Sequence, residues 1–144
     1  MKRIILSLLT PVLLALSAWG QHADDVKGAW LSEKKDVKVE IYQHGEKFYG
    51  RIIWGKDLYE GDGKTLKKDQ KNPDEKLRER TMLNMVIFSG YTFQDGEWTG
   101  GEIYDPKSGK TYKSKMKISS GKLEIRGYLG SPMFGKTTVW SRAS

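Results

Sequence analysis

The chain contains no cysteine, and among its 144 residues it has only four prolines and two histidines. The missing cysteines exclude a disulfide scaffold, a thiol nucleophile, a thiolate metal site and a lipid-modified cysteine behind a leader. His22 and His44 are isolated from each other, so no histidine cluster offers a metal site, and no serine lies in a G-x-S-x-G elbow. Charge of one sign is scarce as a run. The net charge is +7, but Lys64, Lys67, Lys68 and Lys71 are interleaved with Asp62 and Asp69, which is not the basic patch nucleic acid requires. The acidic residues Asp57, Glu60, Asp62 and Asp69 lack the spacing of a calcium hand. These absences leave catalysis little to work with. The expectation is a non-enzymatic protein with no catalytic residues, no metal, no cofactor and no nucleic-acid partner.

Long apolar runs are also absent, with one exception at the start. MKRIILSLLTPVLLALSAWG has a basic head, an apolar stretch from Ile4 to Leu16 and a small-x-small end at Ala18-Trp19-Gly20. This is the pattern of a secretory signal peptide over residues 1–20, and the run is shorter than the roughly 20 residues of a spanning helix. Removing 20 of the 144 residues leaves 124, enough for one domain at 21–144 with a single core, and lowers the net charge from +7 to +5. The expected product is exported, soluble and periplasmic, with no transmembrane segment in the mature chain.

What is present is alternation. Residues 37–43, 47–54, 110–118 and 122–129 place apolar side chains on every second position, the mark of half-buried antiparallel strands. In 47–54 the alternation sets Phe48, Gly50, Ile52 and Trp54 on one face. Hairpin-like joints stand at His44-Gly45-Glu46, Gln94-Asp95-Gly96-Glu97, Lys107-Ser108-Gly109 and Ser119-Ser120-Gly121. With 28–33, 82–88 and 136–142 the count reaches about eight strands, an all-β up-and-down barrel or a sandwich. Four tryptophans, seven tyrosines and four phenylalanines follow the leader. Most belong in a core, but Trp54, Tyr104 and Tyr112 are candidates to line a cavity, since an eight-stranded barrel can hold one small ligand.

The polar stretch 55–80 is too long for a hairpin loop. Within it Asn72-Pro73-Asp74-Glu75 reads as a helix start, with Asn72 as the cap, and predicts one or two turns at 73–79 with Arg78 and Arg80 near the negative end. Asp69 can pair with Arg78 or Arg80 if the chain folds back. An exposed pair of that kind contributes under about 1 kcal/mol. Asp69, Asn72, Arg78 and Arg80 are therefore expected to face the barrel mouth or a partner as binding residues.

One stretch spells a nucleotide site: GSPMFGKT, Gly130 to Thr137, fits G-x-x-x-x-G-K-[ST]. A phosphate loop needs a buried strand before it and a helix after it. Only the β-branched and aromatic piece Thr138-Val139-Trp140-Ser141-Arg142-Ala143-Ser144 follows, so a turn between two final strands and no nucleotide binding are expected.

Two resemblances add to this. Gly28-Ala29-Trp30 resembles the Gly-x-Trp opening of lipocalins, in which a basic residue of the last strand packs across the tryptophan; Arg142 is placed to do so and, with Gly28 and Trp30, to close the barrel. Nearly all of the chain after the leader also resembles the exported bacterial family termed domain of unknown function 2147. The matching stretches include Gly50-Arg51-Ile52-Ile53-Trp54, Lys68-Asp69-Gln70-Lys71-Asn72-Pro73-Asp74, Trp98-Thr99-Gly100-Gly101-Glu102-Ile103-Tyr104-Asp105-Pro106 and Phe134-Gly135-Lys136-Thr137. Asn84 departs from the glycine usual there and puts a tight bend at that point in doubt. The resemblance implies a small lipocalin-like antiparallel β-barrel with one short helix in a long loop, export to the envelope, and no enzyme activity. The first expectation is a barrel binding a small apolar or amphipathic ligand. The alternatives are an envelope interaction protein with a filled barrel and a carboxylate-based enzyme.

Overall fold

The computed structural model describes residues 20–144; the expected leader, apart from Gly20, lies outside them. Eight strands follow in order: β1 Gly28–Leu31, β2 Val37–His44, β3 Lys47–Gly55, β4 Val86–Gln94, β5 Glu97–Asp105, β6 Lys110–Ser119, β7 Lys122–Tyr128 and β8 Lys136–Arg142. Each pairs antiparallel with its chain neighbour, and β1 pairs with β8 to close a barrel. Closure removes both sheet edges, the weak point of an open sheet.

The alternation sends Val39, Ile41, Phe48, Trp98, Met116, Leu123 and Ile125 into a buried core. Gly101 is required by packing: a Cβ there would stand 2.5 Å from the Tyr91 ring. Tyr91 and Ser114, each with no exposure, hold hydroxyls in mid-barrel that have no hydrogen-bond partner among the described residues. Burial drives the Tyr91 phenol far above its ordinary pKa, while the neighbouring Ser114 hydroxyl acts in the opposite direction.

The two barrel ends differ. At one, the hairpins β2–β3, β4–β5 and β6–β7 lie beside a 3-10 turn at Ala23–Val26. This turn is tied in by the Trp98 indole, which donates to the Ala23 carbonyl at 3.1 Å, and by the Trp30 indole, which donates to Val26 at 2.8 Å. The other end carries the β1–β2, β5–β6 and β7–β8 loops and the long excursion from β3 to β4.

Five sequence expectations are adjusted. The first strand stops at Leu31 because Ser32 begins a turn, its hydroxyl donating to Asp36 and accepting from the Asp36 and Val37 amides. That hydroxyl is the first cause of a lowered Asp36 pKa. The strand expected at 82–88 starts only at Val86, because Asn84 and Met85 hook onto both backbone groups of Ile52. Asn84 keeps the tight bend, at φ 65°, in the left-handed region that asparagine tolerates. Trp54 does not share a face with Ile52. A β-bulge sets Val39 opposite Ile52 but Lys38 opposite Trp54, so Ile53 is the extra residue and the indole turns outward, 40% exposed beneath the Lys38 ammonium. The helix expected at 73–79 is a single 3-10 turn, Glu75–Leu77, capped by Asp74 and not by Asn72.

Candidate functional site

A cavity of about 690 Å³ opens at the end that carries the excursion. Its floor is Ile52, Phe88, Ile125 and Trp140, with the Phe88 and Trp140 rings edge-to-face at 5.6 Å. Ile103, Tyr104 and Tyr112 form one wall, and Leu58 and Met82 of the excursion form part of another. Lys67, Lys107 and Lys136, with Asp36, Asp57 and Asp105, border the mouth. Asp105 uses both oxygens on its own turn, accepting from the Lys107 amide at 3.0 Å and the Ser108 hydroxyl at 2.8 Å. The site is thus an apolar well with a charged rim, the form of small-molecule sites.

The polar residues expected to face this mouth do something else. Asp69 has no exposure and accepts three bonds: from the Tyr104 hydroxyl at 2.5 Å, Asn72 Nδ2 at 2.8 Å and Arg80 Nε at 2.9 Å. Its amide also bonds to the Arg80 carbonyl at 2.9 Å, closing a loop-to-loop ring. The Asn72 Oδ1 accepts the Asp74 amide, and Arg78 Nε donates to the Asn72 carbonyl, both at 2.8 Å. The Arg80 guanidinium lies 5.3 Å from the Tyr104 ring centroid. Gly109 lies against the Lys71 carbonyl, where any side chain would collide. Asp69, Asn72, Arg78 and Arg80 form a clamp that fastens the excursion to β5 and the β5–β6 turn. None of the four lines the cavity. Asp69 and Asn72 are thus turned into the protein, while the Arg78 and Arg80 side chains keep 43% and 34% exposure. Tyr104 belongs to both systems, with its ring in the cavity wall and its hydroxyl in the clamp. Burial, the bond to Asp69 and the Asp69 charge push its phenol up to about 12.

Of the candidate binding residues, Tyr104 and Tyr112 therefore reach the cavity, and Trp54 is on the outer surface. The floor residues and the three rim lysines were not singled out from the sequence. The available signal was position: each floor residue is an inward member of a strand.

The barrel's closed end carries the other constellation. The Arg142 guanidinium sits 4.0 Å from the Trp30 ring centroid and donates to the Lys27 carbonyl at 2.6 Å. Gly28 leaves room for it, since a Cβ there would lie 3.1 Å from Arg142 Nη1. The GSPMFGKT segment forms a 3-10 turn at Pro132–Phe134 and then β8, so the strand–loop–helix geometry of a phosphate site is not built.

A model of the family described as an uncharacterized protein conserved in bacteria (DUF2147) matches residues 28–142. The chain belongs to this family. A solved structure described as protein HP1028 from the human pathogen Helicobacter pylori, which belongs to the lipocalin family, is 31% identical. The match covers 83% of each chain, with a TM-score of 0.71. No curated protein matches the chain. The DUF2147 barrel described here is thus lipocalin-like in fold. No helix among the described residues is long and apolar enough to cross a membrane.

Proposed function

We propose that this protein is a non-enzymatic binding protein of the bacterial envelope that holds a small amphipathic molecule in its barrel. The carrying observation is the cavity: about 690 Å³, apolar at the floor and bordered by Lys67, Lys107 and Lys136. An apolar tail would gain roughly 25 cal/mol for each Å² removed from water, and an acidic head would meet the lysines. A barrel filled by its own side chains would leave no such space. Asp69, the acidic residue of the excursion most enclosed by protein, has its oxygens occupied by Tyr104, Arg80 and Asn72, which weakens a carboxylate-enzyme reading.

Mass spectrometry of small molecules copurifying with the protein tests this, paired with Gly127→Val. Gly127 lines the cavity, and a Cβ there meets only ordinary contacts, 3.5 Å from Ile103 and 3.7 Å from Tyr112. Valine suits a strand and puts a branched side chain into the well between Ile103 and Tyr112, narrowing it. An amphipath recovered from the wild type and lost from a folded Gly127→Val protein is the expected result. Equal recovery from both would sink the proposal.

Export is the second half of the reading, supported by the Lys2-Arg3 head, the apolar run and Ala18-Trp19-Gly20. N-terminal sequencing should find a start near Gln21. Protein beginning at Met1 in the cytoplasm would refute it.

A further inference from the structure

The β7–β8 loop displays apolar side chains that cover nothing. Leu129, Met133 and Phe134 are 63%, 79% and 80% exposed, the three highest values among the large exposed hydrophobics. Yet the loop is built, not slack. Arg126 reaches out from β7 to donate to the Pro132 carbonyl at 2.6 Å, the Met133 carbonyl at 3.3 Å and the Thr137 hydroxyl at 2.8 Å. Ser131 caps the 3-10 turn by accepting the Met133 amide at 3.3 Å. Gly135 lets the loop press on β7, since a Cβ there would lie 2.6 Å from the Gly127 carbonyl. Five polar and steric constraints therefore hold a methionine and a phenylalanine out in water. A loop serving only to join two strands has no need of that.

The surroundings are basic. Lys136 follows the apolar side chains, Lys34 and Lys35 stand on the neighbouring β1–β2 loop, Lys107 on the β5–β6 turn and Lys110 at the start of β6, all exposed. The nearby acids Glu33, Asp36, Asp57 and Asp105 keep their charge but are outnumbered by these five lysines, and three of them are held to the protein: Glu33 accepts the Val139 amide at 3.2 Å, Asp36 accepts the Ser32 hydroxyl at 2.7 Å, and Asp105 caps its own turn. An apolar tip ringed by lysines matches one surface chemistry, an anionic lipid bilayer. Apolar side chains enter the acyl boundary while ammonium groups meet phosphates. The tip also stands at the cavity mouth, with Lys136 common to both.

We propose that the Leu129–Lys136 loop docks the barrel, mouth first, on an anionic membrane surface, with Met133 and Phe134 inserted. An amphipathic ligand would then pass between bilayer and cavity without crossing water. That last step rests on the cavity reading above; the docking does not.

The absence of cysteine makes a direct test available, because any introduced thiol is unique. An environment-sensitive fluorophore is attached in Met133→Cys and, separately, in Glu46→Cys on the β2–β3 hairpin at the opposite end. Vesicles of about one-third anionic phospholipid should shift only the label at position 133 into an apolar environment, less so at raised salt. The double variant Met133→Ser/Phe134→Ser should lose about tenfold or more in vesicle cosedimentation. Several outcomes overturn the proposal: a label at 133 that stays aqueous, a response only at 46, which would mean attachment through the N-terminal end, or a response at 133 without vesicles that grows with protein concentration, which would mean a second copy covers the tip. A fluorescent fatty acid bound in vesicle-free solution reports the cavity separately, so either reading can fail alone.

Discussion

Asp69 shows what one residue can do for a barrel. A carboxylate without exposure is costly unless its oxygens are filled, and here three donors fill them. Asp69→Ala strands the Tyr104 hydroxyl and the Asn72 amide beside a half-exposed Arg80, and should cost about 3 kcal/mol in urea unfolding. Arg80→Ala should cost less, because water reaches that side chain. Tyr104 adds a pH signature. Its phenol is raised above the ordinary value of 10 to about 12, so the fold favours the neutral form. The contribution is fully present below pH 10 and disappears as pH climbs through about 12. Tyr104→Phe should remove that alkaline loss and one late-titrating phenol from the ultraviolet titration. An unchanged alkaline limb in the variant would show that Tyr104 is not the group responsible.

Elements whose sequence carries a strict period of two were readable in advance, and those that break the period were not. β2, β6 and β7 follow their alternation closely, and the hairpins Asp95-Gly96 and Ser120-Gly121 supply the positive φ angles that a tight turn uses. The β3 strand looked equally regular, yet one bulge at Ile53 reverses the face of every residue beyond it. Nothing in KFYGRIIW marks which residue is extra; the bulge adjoins a long-range contact, the docking of Asn84 and Met85 on Ile52. The excursion was legible in composition and misread in geometry. Asn72-Pro73-Asp74-Glu75 has the residues of a helix cap, but Asn72 is drawn away by Asp69, a partner three residues upstream that local rules do not weigh. The same local rules assumed an exposed Asp69–Arg pair. Burial, which only the closed barrel provides, changes that pair from a weak contact into a fastening. The cavity wall was legible only in part, because the inward faces are visible as alternation while the space between them depends on how eight strands close.

At the scale of the whole molecule, clamp, cavity and tip form one arrangement. The clamp fixes Tyr104 in the cavity wall and sets the excursion over the mouth, and the tip stands on the same rim across β7 and β8. The closed end is sealed by Trp30, Arg142 and the 3-10 turn at Ala23–Val26, so exchange with the well is confined to one end. A ligand that binds only the closed barrel must then stabilise it by mass action. At 100 times its dissociation constant the gain is about 2.7 kcal/mol, or roughly 10 °C in melting temperature for a chain of this size. The variants divide the molecule cleanly. Gly127→Val should melt at a temperature that a fluorescent fatty acid raises far less, because the well is narrowed between Ile103 and Tyr112. Met133→Ser/Phe134→Ser should keep the full shift in solution, because neither side chain lines the cavity, while losing attachment to vesicles. A tip variant that lost the shift would mean that the loop is a lid over the ligand, and a Gly127→Val protein that kept it in full would mean that the fatty acid binds outside the barrel. Calorimetric scans of the wild type and both variants, with and without the same fatty acid, separate these cases.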